Sequence, residues 1–212
     1  MKKLILFVMI LFPASLLAQN NFGSVKLGLF SPGATSSGFI IGYEGGTNID
    51  EVISWGYSVD WFNKNYTDQN LVNEFNDFYG PSYSINELRA KTNLHAIPIM
   101  ASLTGSWSIA YRTRAFVTGA AGVEVLLIYY RNYENPDNDE FKAAFDFAWR
   151  IGGGVSYEIG RRSDGFIELT YHNAKPSWQF EVKDQQNNKT RVFERKFDMS
   201  GMMIRAGIKF YF

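Results

Sequence analysis

The side chains that could do chemistry are few, and their spacing decides how they are read. There are two histidines, His95 and His172, and no cysteine. A nucleophilic triad needs a hydroxyl or thiol beside a histidine that an acid orients. With only two histidines and neither suitably accompanied, catalysis is not expected. No two histidines are closely spaced. The acids Asp137, Asp139 and Glu140 lack the glycine-centred ligand spacing of a calcium loop and read as a solvated acidic loop. Neither a metal nor a cofactor is therefore expected. The richer set is a series of charges alternating with apolar residues: Lys26, Glu44, Asp60, Arg114, Glu124, Asp146, Arg150, Glu158, Glu168, Arg205 and Lys209. Charges of both signs on one face of a strand system must pair if that face is enclosed. Two uses follow: an ion-pair network that plugs an interior, or a latch across a narrow path for small ions and solutes.

These charges lie on segments with strict period-two alternation. Ile53, Trp55, Tyr57, Val59 and Trp61 share one face, opposite Ser54, Gly56, Ser58 and Asp60. Phe145, Phe147, Trp149, Ile151, Val155, Tyr157 and Ile159 face away from Asp146, Ala148, Arg150, Gly152, Gly154, Ser156 and Glu158. Met202 to Phe212 alternates in the same way, with Arg205 and Lys209 on the polar side. Weaker strands are expected near 23–30, 38–47, 94–104, 114–130 and 167–172, eight in all. Pro98 cannot donate to a ladder, so a bulge is expected in the fourth strand.

The connections differ in length. Asn48–Glu51, Gly105–Arg112 and Gly160–Gly165 are short, whereas 62–93, 131–143 and 173–200 are long and polar. Within the last, Trp178–Val182 and Thr190–Phe197 predict a hairpin with its tip at Asp184–Asn188. Short turns at one end and long loops at the other suit an outer-membrane barrel. Aromatic residues in the long loops (Phe75, Phe78, Tyr79, Tyr83, Trp178, Phe180, Phe193) suit either contact with a partner or packing of loop on loop.

The N-terminal residues read as a secretory signal over 1–18: Lys2 and Lys3, an apolar Leu4–Phe12, then Pro13 and a cut expected after Ala18. Residues 19–212 form one domain, as roughly 190 residues allow. Lys+Arg and Asp+Glu both number 21, so losing Lys2 and Lys3 leaves a formal charge of about −2. That balance offers no basic footprint for nucleic acid. Without cysteine there is no disulfide framework and no lipidated N-terminal Cys. Beyond the leader no apolar run is long enough for a membrane helix, which leaves a closed barrel as the way to cross a bilayer.

Alternation alone is shared by water-soluble barrels turned inside out. The polar face here is built of Gly, Ala and Ser with scattered charges, which suits the narrow interior of eight strands. The apolar face carries Trp55, Trp61, Tyr129, Trp149, Phe210 and Phe212 near strand ends, as interface girdles would. The predicted fold is therefore all-β, an eight-stranded antiparallel up-and-down transmembrane β-barrel.

Four stretches carry a family likeness: Lys26–Phe30 (KLGLF), Gly38–Glu44 (GFIIGYE), Arg150–Val155 (RIGGGV) and Ile204–Phe212 (IRAGIKFYF). In pattern, across nearly the whole mature chain, they resemble the small bacterial outer-membrane β-barrels of the OmpA/OmpX/OmpW type. The resemblance implies export to the outer membrane, contact with its lipid, and insertion by the outer-membrane machinery through a C-terminal signal ending at Phe212. A monomer is expected. Tyr171-His172-Asn173-Ala174 superficially resembles the histidine stretch of barrel deacylases acting on lipid A, but Ala174 stands where a nucleophilic Ser would be needed. The expected role is thus structural or interactive in the envelope, with a narrow channel as the alternative and a lipid A-modifying enzyme a distant third.

Overall fold

The structure is a computed structural model that describes residues 21–67, 91–130, 140–184 and 189–212. It contains ten strands: β1 Asn21–Pro32, β2 Gly38–Asn48, β3 Ile53–Thr67, β4 Lys91–Ala110, β5 Thr113–Tyr130, β6 Glu140–Gly160, β7 Ser163–Asn173, β8 Ser177–Asp184, β9 Lys189–Lys196 and β10 Gly201–Tyr211. Eight of them, β1 to β7 and β10, pair antiparallel with their neighbours. The ring closes where β10 meets β1, from Phe22↔Tyr211 to Pro32↔Gly201. β8 and β9 form the expected hairpin in the last long connection, and β8 touches the barrel wall at Phe145↔Ser177. The expected leader at residues 1–18 and the loop aromatics Phe75 to Tyr83 lie outside the described residues, as do Asp137, Asp139 and the side chains of Glu140, Trp178, Phe180 and Phe193.

Orientation follows from two consecutive residues of β6. Trp149 is 39% exposed and Arg150 is 4% exposed. The same sorting runs round the ring: Trp55, Trp61, Tyr129, Phe210 and Phe212 face outward, while Lys26, Glu44, Asp60, Glu124, Glu168 and Arg205 are buried inside. A surface clad in Val, Ile, Leu and aromatic side chains far exceeds the apolar patch that water tolerates. With every wall strand paired on both sides, no backbone edge is left at the level of the closed ring. The chain is a bilayer-spanning barrel. β1, β2, β7 and β10, at 11 to 12 residues, match the length a tilted membrane strand needs.

At one end the wall strands join through tight turns. In the first, the Asp50 carboxylate accepts the N–H groups of Val52 (2.7 Å) and Ile53 (2.6 Å). Those two donors hold the Asp50 carboxyl below its ordinary range. In the second, Tyr111 and Arg112 turn the chain, with Arg112 at φ 59° and the register shifting between Ser108 and Ala110. Asn21 and Phe212 meet at this end too, since the N–H of Phe212 bonds the carbonyl of Asn21 at 3.0 Å.

Two expectations about strand limits change. The wall strands β3 to β6 run further than the apolar alternation suggests. β4 continues through Gly105–Ala110, where Trp107 and Ile109 alternate with Ser106 and Ser108, so the expected connection Gly105–Arg112 shrinks to two residues. Serines on the inward face of a strand carry the same composition as a polar turn. The bulge expected at Pro98 is also absent. The β3–β4 register is the same on both sides of it, Val59↔Ile99 and Phe62↔Ala96, and only the ladder at Asp60 and Trp61 is interrupted. In an antiparallel pair each residue turns both its polar backbone groups toward one neighbour, so Pro98 forfeits a single bond toward β3 while pairing in register with Glu124 on β5. One lost bond is accommodated without re-registering two strands.

Candidate functional site: a lumen in three storeys

The interior divides into three levels, and the middle one holds most of the charges. Lys26 (β1) pairs with Glu44 (β2) and lies 3.3 Å from Glu168 (β7). Glu168 forms an ion pair with Arg205 (β10), its Oε1 lying 2.6 Å from Nε. The Arg205 Nη1 meets Asp60 Oδ1 (β3) at 2.9 Å, and Asp60 Oδ2 meets Nη2 of Arg150 (β6) at 2.8 Å. Ser102 of β4 donates to Glu44 at 3.1 Å. One chain of alternating charges therefore ties six strands across the lumen, with a seventh holding its end. Glycines make room for it: a Cβ at Gly42 would collide with Asp60 Oδ1, and one at Gly28 would strike the Arg205 side chain and the backbone of β10. The inward glycines are thus the small partners that let long charged side chains meet at the axis.

Glu124 does not join this chain. Its Oε2 lies 3.1 Å from Nε2 of His172, a fully buried ring that also meets Phe30 edge-to-face at 5.9 Å between centroids. This pair marks the passage from the charged storey to the one above it.

Toward the long-loop end the lumen is apolar. Phe30, Ile40, Phe62, Leu94, Met100, Leu126, Ile128 and Met203 form a buried cluster, with Phe30 and Phe62 edge-to-face at 5.1 Å. The connections around the β8–β9 hairpin cover it with Ala174, Phe197 and Met199. These segments are pinned by the N–H of Met199 on the Ala174 carbonyl (3.0 Å) and that of Phe197 on the Pro176 carbonyl (2.9 Å). Nearby, Ser200 donates its N–H to Asp198 at 3.0 Å. Burial pushes the Asp198 carboxyl up, but its Ser200 hydrogen bonds and the nearby Lys175 charge outweigh this and leave it below the ordinary value.

Toward the short-turn end the lumen is open and hydrophilic. Two adjoining hollows of about 90 and 250 Å³ share Asn48, Arg114, Ser156, Asp164 and Tyr211 among their walls. Tyr211 donates its hydroxyl to Asp164 at 2.8 Å, and the Lys209 ammonium sits 4.1 Å from the centre of the Phe22 ring.

The single ionic network expected of eleven residues is therefore divided. Lys26, Glu44, Asp60, Arg150, Glu168 and Arg205 are joined, and Glu124 is paired separately with His172. Arg114, Glu158 and Lys209 line the short-turn hollows and make no ion pair among the described residues. Asp146 lies toward the long loops and accepts the N–H of Lys175 at 2.6 Å. Face parity places all of these inside, but parity carries no height, and side chains several residues apart along a strand cannot meet. The apolar storey escapes a reading by parity altogether. Its signal is present as runs apolar at both parities, such as Leu29-Phe30, Ile40-Ile41, Trp61-Phe62 and Val125-Leu126-Leu127-Ile128.

His95 faces outward, stacked on Trp61. Neither histidine has a hydroxyl nucleophile positioned beside it among the described residues, and no group of three His, Asp or Glu there could hold a metal ion.

No protein-family model matches the chain, and no curated protein matches its sequence. Solved structures do match in fold. Neisserial surface protein A aligns with a TM-score of 0.57 at 12% identity, over 91% of this chain and 96% of that one. A major outer membrane protein from Thermus thermophilus aligns with a TM-score of 0.57 at 9% identity, over 91% and 98%. At such identities the likeness is one of architecture. The chain has the fold of the small outer-membrane β-barrels, with a lumen closed at its long-loop end.

Proposed function

We propose that this protein is an occluded barrel of the bacterial outer membrane that acts through its outer surface and long loops, without enzymatic activity. The observation that carries this reading is the filling of the lumen: an apolar plug stacked on a belt of ion pairs. A pore needs a continuous hydrated path with sites weak enough to release their ions. Here any ion entering the short-turn hollows meets paired charges and then hydrocarbon. The short turns face the periplasm and the long loops the exterior, as in other barrels of this fold. The outward aromatic and aliphatic residues contact outer-membrane lipid, the strand ending at Phe212 serves the insertion machinery, and the barrel functions as a monomer.

The test is conductance of the purified, refolded protein in planar bilayers. Leak-free membranes are expected, together with a gel-mobility shift on heating that reports a folded barrel. Regular, ion-selective current steps would remove this reading in favour of a narrow channel. The one feature that favours the channel is the pair of hollows reaching in from the short-turn end.

A further inference from the structure

The barrel wall is not level. β6 last pairs with β7 at Trp149↔Asn173, whereas β5 and β6 stay paired as far as Tyr130↔Glu140. At the rise of a strand, β6 runs about 30 Å of strand past its last pair with β7, meeting β8 on the way at Phe145↔Ser177, and β3 continues from its last pair with β2 at Phe62 to Thr67. The outward face of this projecting wall carries a continuous row of rings, one from each of four adjacent strands. Trp61 (β3) stacks on His95 (β4) at 5.9 Å and 17°, His95 meets Tyr129 (β5) edge-on at 5.4 Å, and Tyr129 meets Phe141 (β6) at 5.0 Å. The row climbs from the rim of the barrel. An amide border runs beside it: Asn63 lies 2.6 Å from the side-chain oxygen of Asn93 and 3.1 Å from Nε2 of His95, whose Nδ1 accepts from the Trp61 indole at 3.1 Å.

Two surroundings suit this row poorly. In hydrocarbon, the amides and the imidazole would be stripped of water with little in return. In water, three large rings in sequence, Trp61, Tyr129 and Phe141, each about half exposed, form an apolar strip continuous with the lipid-facing surface below. The layer between the two, the headgroups, is where amphipathic rings reside. A phosphate headgroup calls for cations, yet among the described side chains this outward face presents no lysine or arginine, and the neighbouring Lys64 donates to the Ser37 carbonyl at 2.8 Å. A sugar ring fits better. Its C–H face carries partial positive charge that meets the negative face of an aromatic ring, and its hydroxyls find donors and acceptors in Asn63 and Asn93.

We propose that the row Trp61–His95–Tyr129–Phe141, with Asn63 and Asn93, is a docking surface for the saccharide headgroups of outer-leaflet glycolipids. The proposal rests on the outer-membrane reading above, and the experiment keeps the two apart. The protein is folded into vesicles of phosphatidylcholine alone, which tests the barrel by its heat-dependent gel shift. It is then folded into the same vesicles containing a minor fraction of galactosyldiacylglycerol or of phosphatidylglycerol, and the lipid retained after extraction is measured by native mass spectrometry. Galactolipid should be retained in preference to both phospholipids. Tyr129→Ala with Phe141→Ala should weaken that retention roughly tenfold while leaving folding in plain phosphatidylcholine intact. Trp107→Ala, at the opposite rim, should not alter it. If the double variant folds poorly, Asn63→Ala, which leaves every ring in place, must still lower galactolipid retention. Equal retention of galactolipid and phosphatidylglycerol overturns the proposal, as does retention that survives these variants. So does a loss confined to self-association on cross-linking, which would assign the surface to a second copy of the chain.

Discussion

The two ends of the lumen are lined by the same strands yet solve opposite problems. At the long-loop end, inward positions are Phe, Leu, Ile and Met, and the lumen is dry and packed. At the short-turn end Arg, Ser, Asp and Tyr share the walls of open hollows with Phe116 and Phe166. The charged belt lies between, with its six members each at 6% exposure or less. The contrast shows that closure here is not a property of the narrow bore alone. The end covered by Ala174, Phe197 and Met199 is sealed by hydrophobic packing, while the end joined by tight turns is left hydrated. The ion pairs occupy the level between, where Lys26, Glu44 and Glu168 floor the hydrated hollow, and each buried charge there is compensated by one from another strand.

This contrast can be broken most severely at its middle. Asp60→Ala would leave Arg150 and Arg205 facing each other without their shared carboxylate. The expected loss is about 3–5 kcal/mol, the range for removing one partner of a buried pair. It should appear as a lower unfolding midpoint in urea in lipid vesicles; an unchanged midpoint would mean that water enters the belt. Next comes the dry end: Leu126→Ala should cost about 2–5 kcal/mol and leave a cavity without opening a conducting path, since the belt below remains. The same experiment at the wet end sharpens the comparison. Arg114→Ala should change stability by no more than about 0.5 kcal/mol, because that side chain is exposed and makes no ion pair among the described residues. A loss as large as that of Leu126→Ala would refute the division into dry and wet halves.

The smallest effect belongs to the turn that bounds the wet end. The folded Asp50 carboxyl titrates below its ordinary value because two backbone N–H groups bind its charged form. Its contribution is therefore complete above the unfolded-state value and is lost as pH falls through the folded one. The difference in unfolding midpoint between the wild-type chain and Asp50→Asn should accordingly narrow in acid, and a difference that grew in acid would reverse the sign assigned here.

Which face of each strand is wet or greasy could be read before any coordinates. Period-two alternation is local, and a one-residue slip would turn Trp149 inward and Arg150 out, so the register is strongly held. For the same reason the eight membrane strands, the placing of Trp55 and Phe210 outside, and the hairpin of β8 and β9 were legible. Height was not. Lys26 meets Glu168 from strands far apart in the chain only because the tilted strands are staggered as the ring closes, and that stagger is a property of the whole barrel. Face parity treats Arg114, Asp146 and Arg150 alike, whereas the fold sends them to the mouth, the loop end and the belt.

The amino-acid order thus determined that the chain closes into a barrel, and which side of its wall each residue takes, because those depend on the pleat and on the aversion of apolar side chains to water. Tertiary structure alone decided which charges become partners, which end is sealed, and that β3 to β6 stand above the rest. Each of these depends on strand stagger and on the connection around the β8–β9 hairpin folding back over the apolar cluster, and no interval of sequence encodes a distance across the lumen.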